Sequence, residues 1–411
     1  MLRSLFFFLF FLLGSITISW CQNVPSLLAD RDINATFAIL AYDPHDQMWG
    51  AAVATNNLAV GNSTIYIEPG VGAFVIIAET EPAYAHQGFS LLQNGASIQE
   101  AVEATRKADD DRHYRQVAAL DAKGLGYAFT GEALKYWPGQ SGHYLGDYFI
   151  VLGNQLADSV LVEMARAFTE HQGLLAEGLL KALVAGQKAG GQYNGKQSAA
   201  LYVEGVDRTW YETVDLRVDH SETPFADLEQ LWLYYQGRIH LNQTFYAINF
   251  GNAERAHERL DLAEKELSGW VGLYPKLAQA RILLDQTDAG IAWLLRGLQE
   301  EEQFKAYLPA FFYLQEHPQL REFIDSSTFS SSDWYLAVHG LIRVGRTREA
   351  LEKAEVLLQE DPSLGYLYFL AARACLDLDK EAQAKDYLER GLVIDPELTE
   401  AKILLEEIKN N

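Results

Sequence analysis

No stretch constrains this chain's fold more than TFAILAYDPHDQMWGAAVATNNLAVG, residues Thr36 to Gly61. Thr36 to Tyr42 is apolar and rich in β-propensity, Asp43-Pro44-His45-Asp46 carries turn chemistry, and Trp49 to Thr55 resumes a strand built largely of small residues. A hairpin with apolar side chains on both faces has to be covered on both faces. The pattern therefore predicts a buried hairpin at the centre of a layered domain.

The residues that follow supply the remaining layers. Ser63 to Glu68 and Gly72 to Glu79 read as two further strands around Pro69-Gly70. Two helices come next, the second opened by Ser97 with Glu100 three residues on, which is a capping box. Strands are expected at Arg115 to Asp121, Gly126 to Thr130 and Tyr148 to Leu152, with an aromatic and glycine-rich loop from Tyr136 to Gly146. Amphipathic helices at Ser159 to His171 and Leu174 to Gln187 precede a last strand pair, Gln197 to Glu204 and Thr213 to Asp219. Thr223-Pro224 then starts a helix. Blocks of strands alternating with helix pairs suit two stacked sheets with helices outside, an α+β four-layer αββα sandwich.

Beyond Ile239 the composition turns to Leu, Ala, Glu, Lys and Arg at helical spacing. Self-similarity at 34 residues pairs Ala350 with Ala384, Leu358 with Leu392, and Asp361-Pro362 with Asp395-Pro396, the period of tetratricopeptide repeats. The expected organisation is residues 36–245 for the layered domain, 246–330 for degenerate helical hairpins and 331–411 for the repeats, with Ser326 to Ser332 as an internal linker. Tyr307, Phe311, Phe312 and Tyr313 either line a peptide groove or form core. A protein or peptide is the expected partner of the repeats.

The ends and the charge narrow the setting. Arg3, the apolar run Leu5 to Leu13 and the small and polar residues to Ser19 read as a secretory signal peptide, residues 1–21, cleaved near Cys21. Bulky Trp20 argues against lipid attachment there, and 22–35 is left as linker or propeptide. The expected destination is periplasmic or extracellular, with no membrane span. Cys375 alone then remains, so no intrachain disulfide is expected. A formal charge of −23 argues against nucleic acid and anionic membrane surfaces as partners. Asp109-Asp110-Asp111 near His113 reads as a solvated helix end rather than a metal site, and neither metal nor cofactor is implied.

Several pieces, in order, resemble the domain of unknown function 1028 family, placed in the N-terminal-nucleophile hydrolase superfamily. They are Thr36-Phe37-Ala38-Ile39, Ala59-Val60-Gly61, Gly70-Val71-Gly72-Ala73, Arg115-Gln116-Val117, Phe129-Thr130-Gly131, Gly153-Asn154, Gln197-Ser198-Ala199-Ala200-Leu201 and Arg217-Val218-Asp219-His220 before Pro224. The resemblance implies that superfamily's fold and an amide hydrolase lineage, and no substrate. It also has departures. Gln192 and Asn194 stand where members commonly carry an aspartate and an arginine, and Glu79 where a glutamine is usual.

Candidate roles follow. Thr36, at the head of the hairpin, is the candidate nucleophile, because a freed α-amine beside its hydroxyl would serve as base; its other reading is a plain strand threonine. Gln197 and Ser198 could offer an oxyanion their hydroxyl and N–H groups, or simply form a tight turn. Asp219 and His220 form a potential acid–imidazole pair. Asn56 and Asn154 are polar groups expected to face the same cleft, and Glu79, Gln192, Asn194 and Gln197 are the expected substrate contacts. Two functions remain open, an exported hydrolase of amide bonds and a non-catalytic protein-binding scaffold.

Overall fold

The computed structural model describes residues 34–209 and 211–410. The expected signal peptide, its cleavage near Cys21 and most of the 22–35 segment lie outside the described residues. The chain divides into two units, one ending at Leu231 and the other beginning at Trp232.

The first unit is mixed α/β, with ten strands among its described residues in two antiparallel sheets. In chain order these are β1 (Thr36–Asp43), β2 (Met48–Thr55), β3 (Ile65–Glu68), β4 (Gly72–Ala78), β5 (Arg115–Asp121), β6 (Gly126–Thr130), β7 (Gln140–Gly146), β8 (Phe149–Leu156), β9 (Ser198–Gly205) and β10 (Val214–Val218). One sheet runs β10-β9-β2-β1-β8-β7 and the other β3-β4-β5-β6. The hairpin β1–β2 is central, as its composition demands. Asp43 Oδ1 accepts from the His45 and Asp46 N–H groups at 2.8 and 3.2 Å and so folds the turn.

Alternation along the strands builds the core between the sheets. Ala38, Leu40 and Tyr42 of β1, Ala51 and Val53 of β2, and Ile150 and Leu152 of β8 meet Ala73, Val75, Ile77, Ala118 and Leu120 of the other sheet. The second sheet's outer face, with Phe74, Ile76 and Val117, is closed by α1 (Ala83–Gln93) and α2 (Ile98–Ala108). The Ser97 capping box is present in full. Helices α3 (Val160–Glu170) and α4 (Leu175–Lys188) pack on the hairpin side. Gly50 permits this approach, since a Cβ there would lie 2.6 Å from Leu179.

Three local expectations are corrected. The 136–146 loop contains strand β7, an exposed edge strand with no apolar alternation to announce it; pairing with β8, across an irregularity between Gln140 and Gly142, holds it. Asp109 is not a solvated helix end. Its carboxylate takes Arg115 Nε at 2.9 Å and the Tyr84 hydroxyl at 3.1 Å, and its side chain is 10% exposed. The division between units falls inside α5 (Pro224–Asn249), an unbroken helix, and not at 245–246.

The second unit is all-helical among its described residues, with α6 (Ala253–Glu266), α7 (Tyr274–Leu283), α8 (Thr287–Glu300), α9 (Ser331–Arg343), α10 (Thr347–Glu360), α11 (Gly365–Asp377), α12 (Glu381–Ile394) and α13 (Thr399–Asn410). Ala350 and Ala384, both fully buried, sit at helix contacts, and Cys375 is buried as a free thiol. Phe311 and Phe312 are core, whereas Tyr307 is 44% exposed. The expected 326–332 linker is packed. It holds a short 3-10 turn, and Phe329 stacks edge-on against Phe312 and Trp334. No described helix is long and apolar enough to cross a membrane.

Candidate functional site

The inter-sheet face is apolar along most of each strand and polar at one end. Register places Thr36 opposite Thr55 on one side and Asn154 on the other, with Ser198 opposite Thr55. Ser198, Thr55, Thr36 and Asn154 thus form one row across β9, β2, β1 and β8, continuing the positions that carry Ala38, Val53, Leu152 and Ala200 into the core. Their exposures are 0, 2, 4 and 0%. Polar groups so deeply placed must hydrogen-bond among themselves or leave atoms unmet.

Most of them do. Thr55 Oγ1 donates to the Ala35 carbonyl at 2.8 Å. Its single proton being used there, the 2.9 Å contact between the two hydroxyls has Thr36 as donor and Thr55 as acceptor. Asn56 grips the same residue from both sides: its N–H reaches the Ala35 carbonyl at 3.3 Å, and its Oδ1 accepts the Ala35 N–H at 2.9 Å. Ala35 itself is fully buried. The carbonyl immediately before Thr36 therefore has two donors on it.

Across the gap stands Gln116 of β5, fully buried. Its Nε2 donates to the Gly142 and Gly153 carbonyls at 2.8 and 2.9 Å and to Thr130 at 3.0 Å, and its Oε1 accepts Asn154 Nδ2 at 3.2 Å. Asn154 Oδ1 and Gln155 Nε2 are buried without a hydrogen-bond partner among the described residues. Gln155 also has φ +53°, a left-handed conformation inside a strand. Strain and unmet polar atoms thus coincide one register step from Thr36.

The other candidates surround this row unequally. Asn194 reaches Gln155, the neighbour of Asn154, its Nδ2 lying 3.3 Å from Gln155 Oε1, while Gln192 Nε2 turns onto Gly195 of its own loop. Ser198 is committed to the fold. Its hydroxyl donates to the Asn57 carbonyl at 2.6 Å and accepts the Val60 N–H at 3.2 Å, fixing the loop after β2. Gln197 contributes backbone, its N–H to the Thr55 carbonyl and its carbonyl to Ser221. Glu79, just past β4, faces Arg115 at 3.6 Å, within a cluster that also contains Asp109 and Asp111. Burial alone would raise the Asp109 carboxyl, but the Arg115 hydrogen bonds and charge hold it below its ordinary value. Asp219 and His220 are exposed, and among the described residues their side chains are not paired with each other; the Asp219 carbonyl accepts the Ala59 N–H, and its carboxylate lies near Arg217.

Thr55 and Gln116 were absent from the sequence-derived candidates. Thr55 is readable from the hairpin, because a turn at residues 43–48 puts it opposite Thr36. A cavity of about 460 Å³ also opens on this unit, beside Tyr66, His86, Tyr202 and Arg217, and none of the row residues lines it.

The family described as "Family of unknown function (DUF1028)" matches residues 36–228. A protein from Silicibacter pomeroyi whose crystal structure is assigned to the same family is 33% identical, over 48% of this chain and 88% of its own, with a TM-score of 0.44. The chain belongs to the DUF1028 family. The matched segment begins at Thr36, the residue that opens the polar row. Two further structures share little sequence. Anbu (ancestral beta-subunit) from Yersinia bercovieri is 11% identical over 48% of this chain and 92% of its own, TM-score 0.25. MamA of MSR-1 is 16% identical over 41% and 98%, TM-score 0.21. No curated protein matches the chain.

Proposed function

We propose that this DUF1028 protein is an exported amide-bond hydrolase of the N-terminal-nucleophile type, with Thr36 as nucleophile, and that its tetratricopeptide-like helices dock a protein or peptide. The observation that carries the reading is the Ala35 carbonyl, held by the Thr55 hydroxyl and the Asn56 N–H beside the Thr36 hydroxyl. Donors aimed at a carbonyl stabilise the oxyanion that forms when the adjacent amide is attacked. In the uncleaved chain the peptide in that position is its own. Once the residues before Thr36 are removed, the same two donors face an incoming substrate carbonyl. The freed α-amine then supplies the base that the row otherwise lacks. Asn154 Oδ1, unmet among the described residues and across the β1–β8 ladder from Thr36, supports this reading as an acceptor for that amine. Two facing sheets between helix pairs, the layer order of N-terminal-nucleophile hydrolases, support the same reading.

The scaffold alternative rests on a specific observation. Glu79 is drawn into the Arg115 cluster, and Gln192 and Asn194 bring no charge to the row. Intact-mass analysis and N-terminal sequencing of protein recovered from its native compartment separate the two. A chain beginning at Thr36 that hydrolyses an acyl p-nitroanilide, with the activity lost in Thr36→Ala, is the expected result. A homogeneous mature chain that still carries residues before Thr36 overturns the hydrolase reading in favour of the scaffold.

A further inference from the structure

The second unit contains a cavity of about 530 Å³ between α5, α7, α9 and α11, within the range of ligand-binding pockets. Its wall is apolar and aromatic: Phe245 and Ile248 come from α5, Tyr366 and Phe369 from α11. The polar lining is a different matter. His339 and Arg343 come from α9, Arg373 from α11 and Asn249 from α5, and no carboxylate lines the cavity.

The chain has 56 acidic residues against 33 basic ones, so carboxylates are not in short supply. Arg281, Arg296, Arg346 and Arg390 of the same unit each hold one. Arg343 and Arg373, like Arg238, Arg255 and Arg348, form no ion pair among the described residues; what sets these two apart is that they line one cavity, where Arg343 lies over the Phe245 ring at 5.7 Å. Partial desolvation at the cavity wall, reinforced by these two guanidiniums, holds the imidazole of His339, an exposed residue, below its ordinary value. Two planar guanidiniums over an apolar floor match a carboxylate flanked by hydrocarbon.

The lining also repeats. His339 and Arg373 are 34 residues apart, as are Tyr335 and Phe369, so successive helix pairs present equivalent positions to one side. Rings continue past the cavity, Tyr335 to Tyr366 at 5.5 Å and Tyr366 to Phe369 at 5.4 Å. A polar end joined to an aromatic track suits an extended chain better than a compact metabolite.

We propose that this cavity binds an extended acidic peptide, with a carboxylate on Arg343 and Arg373 and neighbouring apolar side chains on the Phe245, Tyr366 and Phe369 wall. The assignment rests on reading the helical unit as the docking part and is independent of hydrolysis at Thr36. The test is fluorescence anisotropy with the full chain carrying Thr36→Ala, so that binding is read apart from turnover. The probe is a fluorescein-labelled octapeptide alternating Glu with Leu and Phe, against the same peptide with Gln for every Glu.

The Glu peptide is expected to bind, and Arg343→Gln and Arg373→Gln each to weaken it roughly tenfold, as the loss of a charge-assisted hydrogen bond does. Both arginines are exposed, so circular dichroism should show an unchanged fold. Equal binding of the two peptides, abolished by Phe369→Ala, overturns the carboxylate assignment and leaves docking by the helical unit intact. Binding of neither peptide overturns both. Self-association that the double arginine variant abolishes, with no peptide binding, gives the site to a second copy and likewise overturns the proposal.

Discussion

The Thr36 hydroxyl donates to Thr55 Oγ1 at 2.9 Å, and Thr55 in turn donates to the carbonyl of the residue before Thr36 at 2.8 Å. The relay closes on the peptide bond that the proposed mechanism requires to be broken. Thr55→Val keeps the shape and removes both hydrogen bonds. Because the Asn56 N–H still satisfies the Ala35 carbonyl, the expected loss of stability is only about 1–2 kcal/mol by urea denaturation. Appearance of the chain starting at Thr36, followed by intact mass, should be slowed at least tenfold. Unchanged processing would show that the Thr55 donor plays no part.

Gln116 makes the second testable contribution. A single buried amide group serves the Gly142 and Gly153 carbonyls, Thr130 and Asn154. Gln116→Leu leaves several of these groups unmet in the core, and about 3 kcal/mol or more of stability should be lost. Gln116→Glu is the informative companion. It keeps the acceptor for Asn154 and loses the Nε2 donor, so its denaturation midpoint should also fall.

How much of this is legible in the sequence depends on whether the signal is local. The central hairpin, the Ser97 capping box and the bounds of β5 and β6 follow from apolar runs, turn residues and cap chemistry, which act over a few residues. Strand β7 carries no alternation because an exposed edge buries nothing, and so it read as loop. Thr36 is legible from its place at the head of the hairpin and Asn154 from the family resemblance; register makes the two neighbours, and the Asn56 side chain holds Ala35 beside them. The row through Thr55 and Ser198 emerges only from register, which pairs residues distant in sequence. Side-chain commitment was not legible. Nothing in Gln197-Ser198 announces that the hydroxyl will fix the 57–60 loop, and nothing in Asp109-Asp110-Asp111 says that the first carboxylate will be enclosed by Arg115 and Tyr84.

That enclosed pair gives the pH prediction. The Asp109 carboxyl titrates lower in the folded chain than in the unfolded one, so the unfolded state takes up the proton first. The pair's contribution is therefore fully present above about pH 4, the ordinary carboxylate value, and is lost as pH falls through the lower folded value. Arg115→Met should lower stability at neutral pH by about 3 kcal/mol, because it leaves a largely buried carboxylate uncompensated. Part of that deficit should disappear below pH 4, where Asp109 protonates. Urea midpoints of the two proteins that stay equally far apart from pH 7 to pH 3 would refute this account.

In the helical unit, two glycines separate lack of space from backbone conformation. Gly340 lies in α9 against the chain at Ala310, where an added Cβ would stand 2.0 Å from a carbonyl oxygen. No rotamer relieves a contact with backbone, so Gly340→Ala should cost about 3 kcal/mol or more through overpacking. Gly345, just after the same helix, has φ +76° and nothing within 4 Å of its missing Cβ. Gly345→Ala meets only the left-handed backbone penalty, about 1–2 kcal/mol. Scanning calorimetry of the two variants should therefore show the larger fall in transition temperature for Gly340→Ala. The opposite order would mean that α9 can move away from Ala310, and that the packing of this helix is looser than its buried Ala337, Val338 and Leu341 imply.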